Sequence, residues 1–240
     1  MKNKFGLILV FILLVSISSV NAQAPFQGGL NFAIGLPQGE FKENVEAVGL
    51  GLSGDFCYNF ANSPLAIGLS FGFLNYGSET REEPWSQTIP DVFVDVTTTN
   101  NIFMGHALMR VQPPRGAFLP YLEGLVGFSY LTTDTRVEDQ GGLNEDDIAS
   151  SNNFNDITFS YGAGGGFMIQ VYKPDRTRSI QSSLAGVYID LRVRYLKGGI
   201  AEYLKEGSID IDEDSNVNYD VDESFTDLIT IHIGVTAAFM

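Results

Sequence analysis

A 240-residue chain carrying a formal net charge of −15 is poorly suited to gripping nucleic acid through its phosphates, which select for Lys and Arg. A single cysteine, Cys57, excludes an intramolecular disulfide framework, and beyond the N-terminal stretch no apolar run approaches the length of a membrane-spanning helix, about 20 residues. The 26 glycines and 12% aromatic residues suit curved strands better than a helical protein.

The first 22 residues read as an export signal. Lys2 and Lys4 give a positive start, Phe5 to Val15 is almost wholly apolar, and Val20-Asn21-Ala22 is a small-residue cleavage pattern. Ala22-Gln23-Ala24 is an alternative cleavage point. No cysteine follows the apolar run, so a lipid-anchored start is not expected. The mature part is read as one domain, 23–240.

From there the chain alternates at period two, the signature of strands with two unlike faces. The first strand, about Phe26 to Leu36, sets Leu30, Phe32 and Ile34 against Gly29, Asn31 and Ala33. The second, about Val48 to Phe60, sets Leu50, Leu52, Phe56 and Tyr58 against Gly51, Ser53, Asp55 and Cys57. The third, about Leu65 to Tyr76, sets Ile67, Leu69, Phe71 and Phe73 against Ala66, Gly68, Ser70 and Gly72. The fourth lies within Val92 to Gln112, with Phe103, Ala107 and Met109 on the apolar side and His106 and Arg110 opposite. The fifth, about Tyr121 to Leu131, turns Leu122, Val126 and Phe128 one way and Glu123 the other. The sixth, about Ile157 to Tyr172, opposes Phe159, Tyr161, Phe167 and Ile169 to Ser160, Gly162, Gly164 and Gly166. The seventh, about Val187 to Leu196, opposes Ile189, Leu191, Val193 and Tyr195 to Asp190, Arg192 and Arg194. The eighth, Asp227 to Met240, carries Ile229, Ile231, Ile233, Val235 and Phe239 against Thr230, His232, Gly234 and Thr236.

Each segment is long enough to cross a bilayer when tilted, which takes about 9–11 residues. Alternation alone would also fit a soluble sandwich. The large residues, however, crowd one face and Gly, Ala and Ser the other, as expected around the inside of a narrow closed barrel. The expected fold is therefore all-β, a transmembrane eight-stranded antiparallel up-and-down β-barrel. Long connections are expected at about 37–47, 77–91, 132–156 and 197–226. Short ones fall at Ala61 to Pro64 and Pro113 to Phe118, and Lys173 to Gly186 is longer than that rule. The four long connections hold 23 of the 29 acidic residues, whereas the short side carries Arg115, Lys173, Arg176 and Arg178 against Asp175. Long loops outside and an even strand count place both termini in the periplasm.

With these features the chain resembles the small OmpA/OmpX-like eight-stranded outer-membrane β-barrel proteins. Asn100 to Pro113 (NNIFMGHALMRVQP), Pro120 to Gly124 (PYLEG) and the closing strand carry most of the likeness, which spans essentially the whole mature chain. Ending in Phe239-Met240, and not on the aromatic itself, departs from the usual form. The resemblance implies a protein of the cell envelope, in the outer membrane of a Gram-negative bacterium. It also implies contact with outer-membrane lipid and insertion by a barrel-assembly machinery that reads Phe239.

The inward charges form the candidate site: Asp55, Arg110, Glu123, Asp190, Arg192 and Arg194, with His106 and His232. Three acids balance three bases, so the expectation is a paired polar plug and not a pore. Arg110 and Glu123 flank the turn at Gly116-Ala117 symmetrically and are expected to oppose each other as a bidentate pair. A hydrolase would need a nucleophile beside an oriented base. His106 and His232 sit in no recognisable Ser or carboxylate spacing, and no enzyme is expected. Asp210, Asp212 and Asp214 are spaced like the start of a calcium loop. Ser215 stands where the turn glycine belongs, however, and Val221 where the closing Glu does, so a solvated acidic loop is the simpler reading. Cys57 reads as a small lumen filler, and Trp85 as a partner contact or an interfacial anchor. No cofactor is called for. The reading is a monomeric structural or interaction protein acting through its acidic loops, and the rival is a narrow pore or a lipid-modifying enzyme.

Overall fold

The computed structural model describes residues 24–45, 47–86, 89–139, 147–174, 183–205, 208–211 and 217–240. The expected signal segment, 1–22, lies outside them. Eight strands close a barrel: β1 (Phe26–Pro37), β2 (Gly49–Asn59), β3 (Leu65–Ser86), β4 (Ile89–Val111), β5 (Phe118–Asp139), β6 (Asp147–Tyr172), β7 (Leu184–Gly198) and the closing strand β12 (Leu228–Phe239). Neighbours in sequence are neighbours in the sheet, and β12 pairs antiparallel with both β7 and β1, Phe26 lying opposite Phe239. Four further short strands lie in the last connection: β8 (Ile200–Tyr203) with β11 (Asp222–Phe225), and β9 (Ile209–Ile211) with β10 (Val217–Tyr219).

The two faces separate as the alternation requires. Leu30 is 77% exposed, Phe71 61% and Phe159 60%, while their neighbours Asn31, Ser70 and Ser160 are buried. A water-soluble monomer rarely shows more than a few hundred Å² of continuous apolar surface, roughly 300–600 Å². A girdle of such side chains on every barrel strand suits hydrocarbon. No free edge is left within the barrel wall, as lipid demands of backbone donors and acceptors.

The interior departs from the expected lining of small residues. Along β7 the inward positions read Tyr188, Asp190, Arg192, Arg194 and Leu196, and along β5 Tyr121, Glu123, Leu125, Ser129 and Leu131. A charged layer therefore lies between two apolar ones. Toward the long connections Leu74, Ile102, Met104, Leu108, Leu125 and Leu196 pack together, and toward the short turns Leu119, Tyr121, Met168 and Tyr188. The glycines make room for these side chains by letting strands approach closely. A Cβ on Gly127 would lie 2.0 Å from the Gly105 carbonyl oxygen, and one on Gly234 would lie 2.1 Å from that of Leu30.

Two connections expected as loops are strand instead. β3 and β4 pair out to Ser86 and Ile89, and β5 and β6 out to Glu138 and Asp147. These extensions are rich in Thr, Asn, Ser and charged residues, so hydrophobic periodicity weakens although the ladder continues. Thr and Asn side chains tie the strands together: Thr80 to Thr97 at 3.0 Å, Thr98 to Thr135 at 3.0 Å, Thr133 to Asn100 at 2.7 Å. Cross-strand Thr pairs of this kind stabilise a sheet. At 22 residues, β3 extends about 70 Å, while about 9–11 tilted residues suffice to cross a bilayer.

The first long connection also holds a helical turn, α1 (Glu40–Asn44). Its Phe41 is fully buried against the rings of Tyr76 and Tyr203, with centroids 5.8 and 5.1 Å away. Asn44 donates to the Tyr203 hydroxyl at 3.0 Å, which meets Ser224 at 2.7 Å. The first and last connections thus fold together over the long-connection end of the lumen.

Candidate functional site

The inward-facing charges converge on one network. Arg110 lies opposite Glu123 in the β4–β5 register. Its Nε and Nη2 both donate to Glu123 Oε2, at 3.1 and 2.8 Å. This corrects the expected bidentate fork. Both donors share one oxygen because the other, Oε1, accepts from Arg194 Nε at 2.7 Å. Arg194 continues the chain, donating to Ser70 Oγ and Asp55 Oδ1, each at 2.9 Å. Arg192 pairs with Asp55 and stands 3.6 Å from Asp190 Oδ2, whose Oδ1 accepts from the Tyr121 hydroxyl at 2.6 Å. The Arg110 guanidinium also lies over the Tyr121 ring, 4.2 Å from its centroid. All six charged side chains are buried.

Charges in a water-poor interior are tolerable when paired, and three acids meet three guanidinium groups here; Arg110 and Arg194 are also hydrogen-bonded to carboxylates, whereas Arg192 is held by ion pairs. The network links β2, β3, β4, β5 and β7, so it fixes the relative register of strands far apart in sequence. A group of this kind specifies a unique closed wall in a way that apolar packing alone does not.

The two histidines sit beside this network without joining an ion pair. His106 Nε2 meets Ser160 Oγ at 2.7 Å, and Ser129 donates to the same hydroxyl at 3.2 Å. His232 Nδ1 meets Ser53 Oγ at 2.9 Å and its Nε2 meets Thr230 Oγ1 at 2.8 Å. The hydroxyl–imidazole pairs have the reach of a nucleophile and its base. No carboxylate, however, is hydrogen-bonded to either ring among the described residues, and His106, Ser160, His232 and Ser53 are all buried in the lumen.

Tyr121, Ser70, Ser53 and Asn31, whose amide donates to Asp55 Oδ2 at 3.3 Å, are further members that parity and charge did not single out. For Tyr121 the signal was available, since it shares the parity of Glu123; Ser70 and Ser53 were read only as small residues. Cys57 is buried facing inward. Trp85 lies within β3, where the backbone alone is described, and Asp210 within β9 likewise. Asp212 and Asp214 lie outside the described residues. Among the described residues no group of three His, Cys, Asp or Glu side chains is placed to hold a metal ion. In the last connection Lys205 forms an ion pair with Asp222, 2.9 Å apart, and that carboxylate raises the lysine pKa above its ordinary value.

Residues 7–172 match the family model described as the outer membrane protein beta-barrel domain. Among solved structures, neisserial surface protein A (NspA) is 13% identical with a TM-score of 0.44, over 92% of this chain and 100% of that one. Ail, the attachment invasion locus protein of Yersinia pestis, is 14% identical with a TM-score of 0.32, over 89% and 96%. A Pseudomonas aeruginosa FadL homologue is 10% identical with a TM-score of 0.23, over 92% and 76%. No curated protein matches the chain.

Proposed function

The chain belongs to the outer membrane protein beta-barrel domain family, and from that premise we propose that it anchors a rigid, acidic interaction surface outside the cell. It is an outer-membrane β-barrel protein. The observation that carries the proposal is the continuation of β3, β4, β5 and β6 past the barrel as a four-stranded wall. From Asp147 to Asn155, β6 is ladder-paired to β5 alone among the described residues, and β3 beyond Asn75 to β4 alone. Open edges of this kind are what an extended partner segment adds to. The extensions carry Glu79, Glu82, Asp95 and Asp134, which favour a cationic partner. A lumen that holds a buried charge network between two apolar layers supports this reading over a pore, and hydroxyl–imidazole pairs buried inside the wall support it over an enzyme. With the termini at the short-turn end and the wall at the other, the wall faces the exterior when the termini are periplasmic.

Two measurements test this. Protease applied to intact cells should cut within the β3–β4 or β5–β6 extensions and leave the short turns whole; the opposite pattern overturns the orientation. Cross-linking on intact cells should capture a partner with the full chain and lose it when both hairpins are trimmed to the barrel rim. Capture that survives trimming, or unitary conductance of the intact protein in planar bilayers, overturns the role.

A further inference from the structure

At the short-turn end the barrel opens into a cup of about 620 Å³, unrelated to the outer wall just described. It is a dead end. Its floor is the buried side chains Leu119, Tyr188 and Ala238, which belong to the lower apolar layer beneath the charged network. Its rim carries Arg115, from the β4–β5 turn, and Lys173, at the end of β6. Neither has an Asp or Glu partner among the described residues, and no Asp or Glu stands in the lining, which also holds Met240, the last residue of the chain.

The polar groups lower in the cup are donors as well. Gln27 is 6% exposed, and its carbonyl accepts from Gln112 Nε2 at 3.2 Å, so its NH2 group is the end left for a ligand. Gln112 is braced in turn by Asn59 at 2.8 Å, and Asn59 by the Ala24 carbonyl at 3.0 Å. The Tyr188 hydroxyl is another donor in the lining. Two cations at the mouth, a fixed amide donor on the wall and an apolar floor describe a receptor for an anion on an apolar body. The volume lies in the range of small-ligand pockets, about 300–1,000 Å³.

We propose that this cup captures the carboxylate end of a short apolar peptide. The terminal carboxylate meets Arg115 and Lys173, a peptide carbonyl accepts from Gln27, and the last side chains rest on Leu119 and Tyr188. An inorganic anion would leave the floor unused. Lipid headgroups ring the outside of the wall, whereas the cup is lined from within, by inward positions of β1, β5, β7 and β12.

The test uses the mature barrel in nanodiscs of zwitterionic lipid and the peptide Leu-Ala-Leu, dye-labelled at its N-terminus and free at its C-terminus. Fluorescence anisotropy should show saturable binding that weakens with salt. Changing both Arg115→Gln and Lys173→Gln should weaken it about tenfold, each exposed cation supplying roughly half of that on a logarithmic scale. The C-terminal amide of the same peptide should lose a similar factor. Both side chains are exposed, and the heat-modifiable gel band reports that the variant still folds. The proposal is overturned if nothing saturates by millimolar peptide, if the amide binds as well as the acid, or if the double variant binds unchanged. Equal competition by inorganic phosphate overturns the peptide assignment, and loss of binding in phosphatidylglycerol nanodiscs assigns the cup to headgroups.

Discussion

Glu123 is shared in the lumen between two arginines, while Arg110 leans mainly on Glu123 and the Tyr121 ring. The two single substitutions are therefore unequal. Arg110→Met leaves Glu123 still held by Arg194, whereas Glu123→Leu strands Arg110 and also takes the acceptor of Arg194 Nε, Asp55 and Ser70 keeping the rest of that guanidinium. Breaking a buried pair costs about 3–5 kcal/mol, so Arg110→Met falls near about 3 and Glu123→Leu near about 5. The double variant removes one charge of each sign and keeps the network neutral. Arg194 Nε, however, still lacks its acceptor, a penalty of about 1–3 kcal/mol. Its total loss should be about 5 kcal/mol, no worse than Glu123→Leu alone, giving a coupling of about 3 kcal/mol. Equilibrium urea unfolding in lipid vesicles measures this, with unchanged m-values as the condition for comparing midpoints. Additive losses, or an Arg110→Met variant weaker than Glu123→Leu, would refute the shared-carboxylate geometry.

Three other outcomes follow from the same structure. Leu30→Arg places a cation on the lipid face of β1 and should cost about 2–4 kcal/mol in a bilayer; an unchanged unfolding midpoint would mean that this face does not meet hydrocarbon. Gly234→Val drives a side chain into the Leu30 carbonyl across the β1–β12 seam, so the yield of the fast-migrating folded gel band should collapse, and a normal yield would show that the seam is looser. Phe41→Ala empties a fully buried site between Tyr76 and Tyr203, worth about 3–5 kcal/mol to the packing there. The last connection should then be cut faster by protease while the barrel stays folded, and an unchanged cleavage rate would mean that α1 does not hold it.

Period-two alternation determined the eight spanning segments and the parity of their two faces, because a strand's side chains have no third direction to take; the unequal sizes on the two faces said which points inward, and the connections gave the antiparallel order. It also placed Arg110 opposite Glu123, since a symmetric turn at Gly116-Ala117 leaves one register. The extensions of β3 to β6 were illegible for a physical reason. There the buried face itself is largely polar, with Thr98, Asn100, Thr132 and Thr133 inside, so the pattern reads as loop, and backbone pairing and Thr–Thr contacts show a strand. The short pairs β8–β11 and β9–β10 lie in a stretch whose polar pattern hides them, and Phe41 of α1 beneath Tyr203 depends on a contact between segments some 160 residues apart, as Asn44 and Tyr203 are. The sharing of Glu123 between Arg110 and Arg194 likewise awaited the closed ring. Parity says that a side chain points inward, but which inward groups touch depends on barrel curvature and stagger, and these exist only once β12 has met β1.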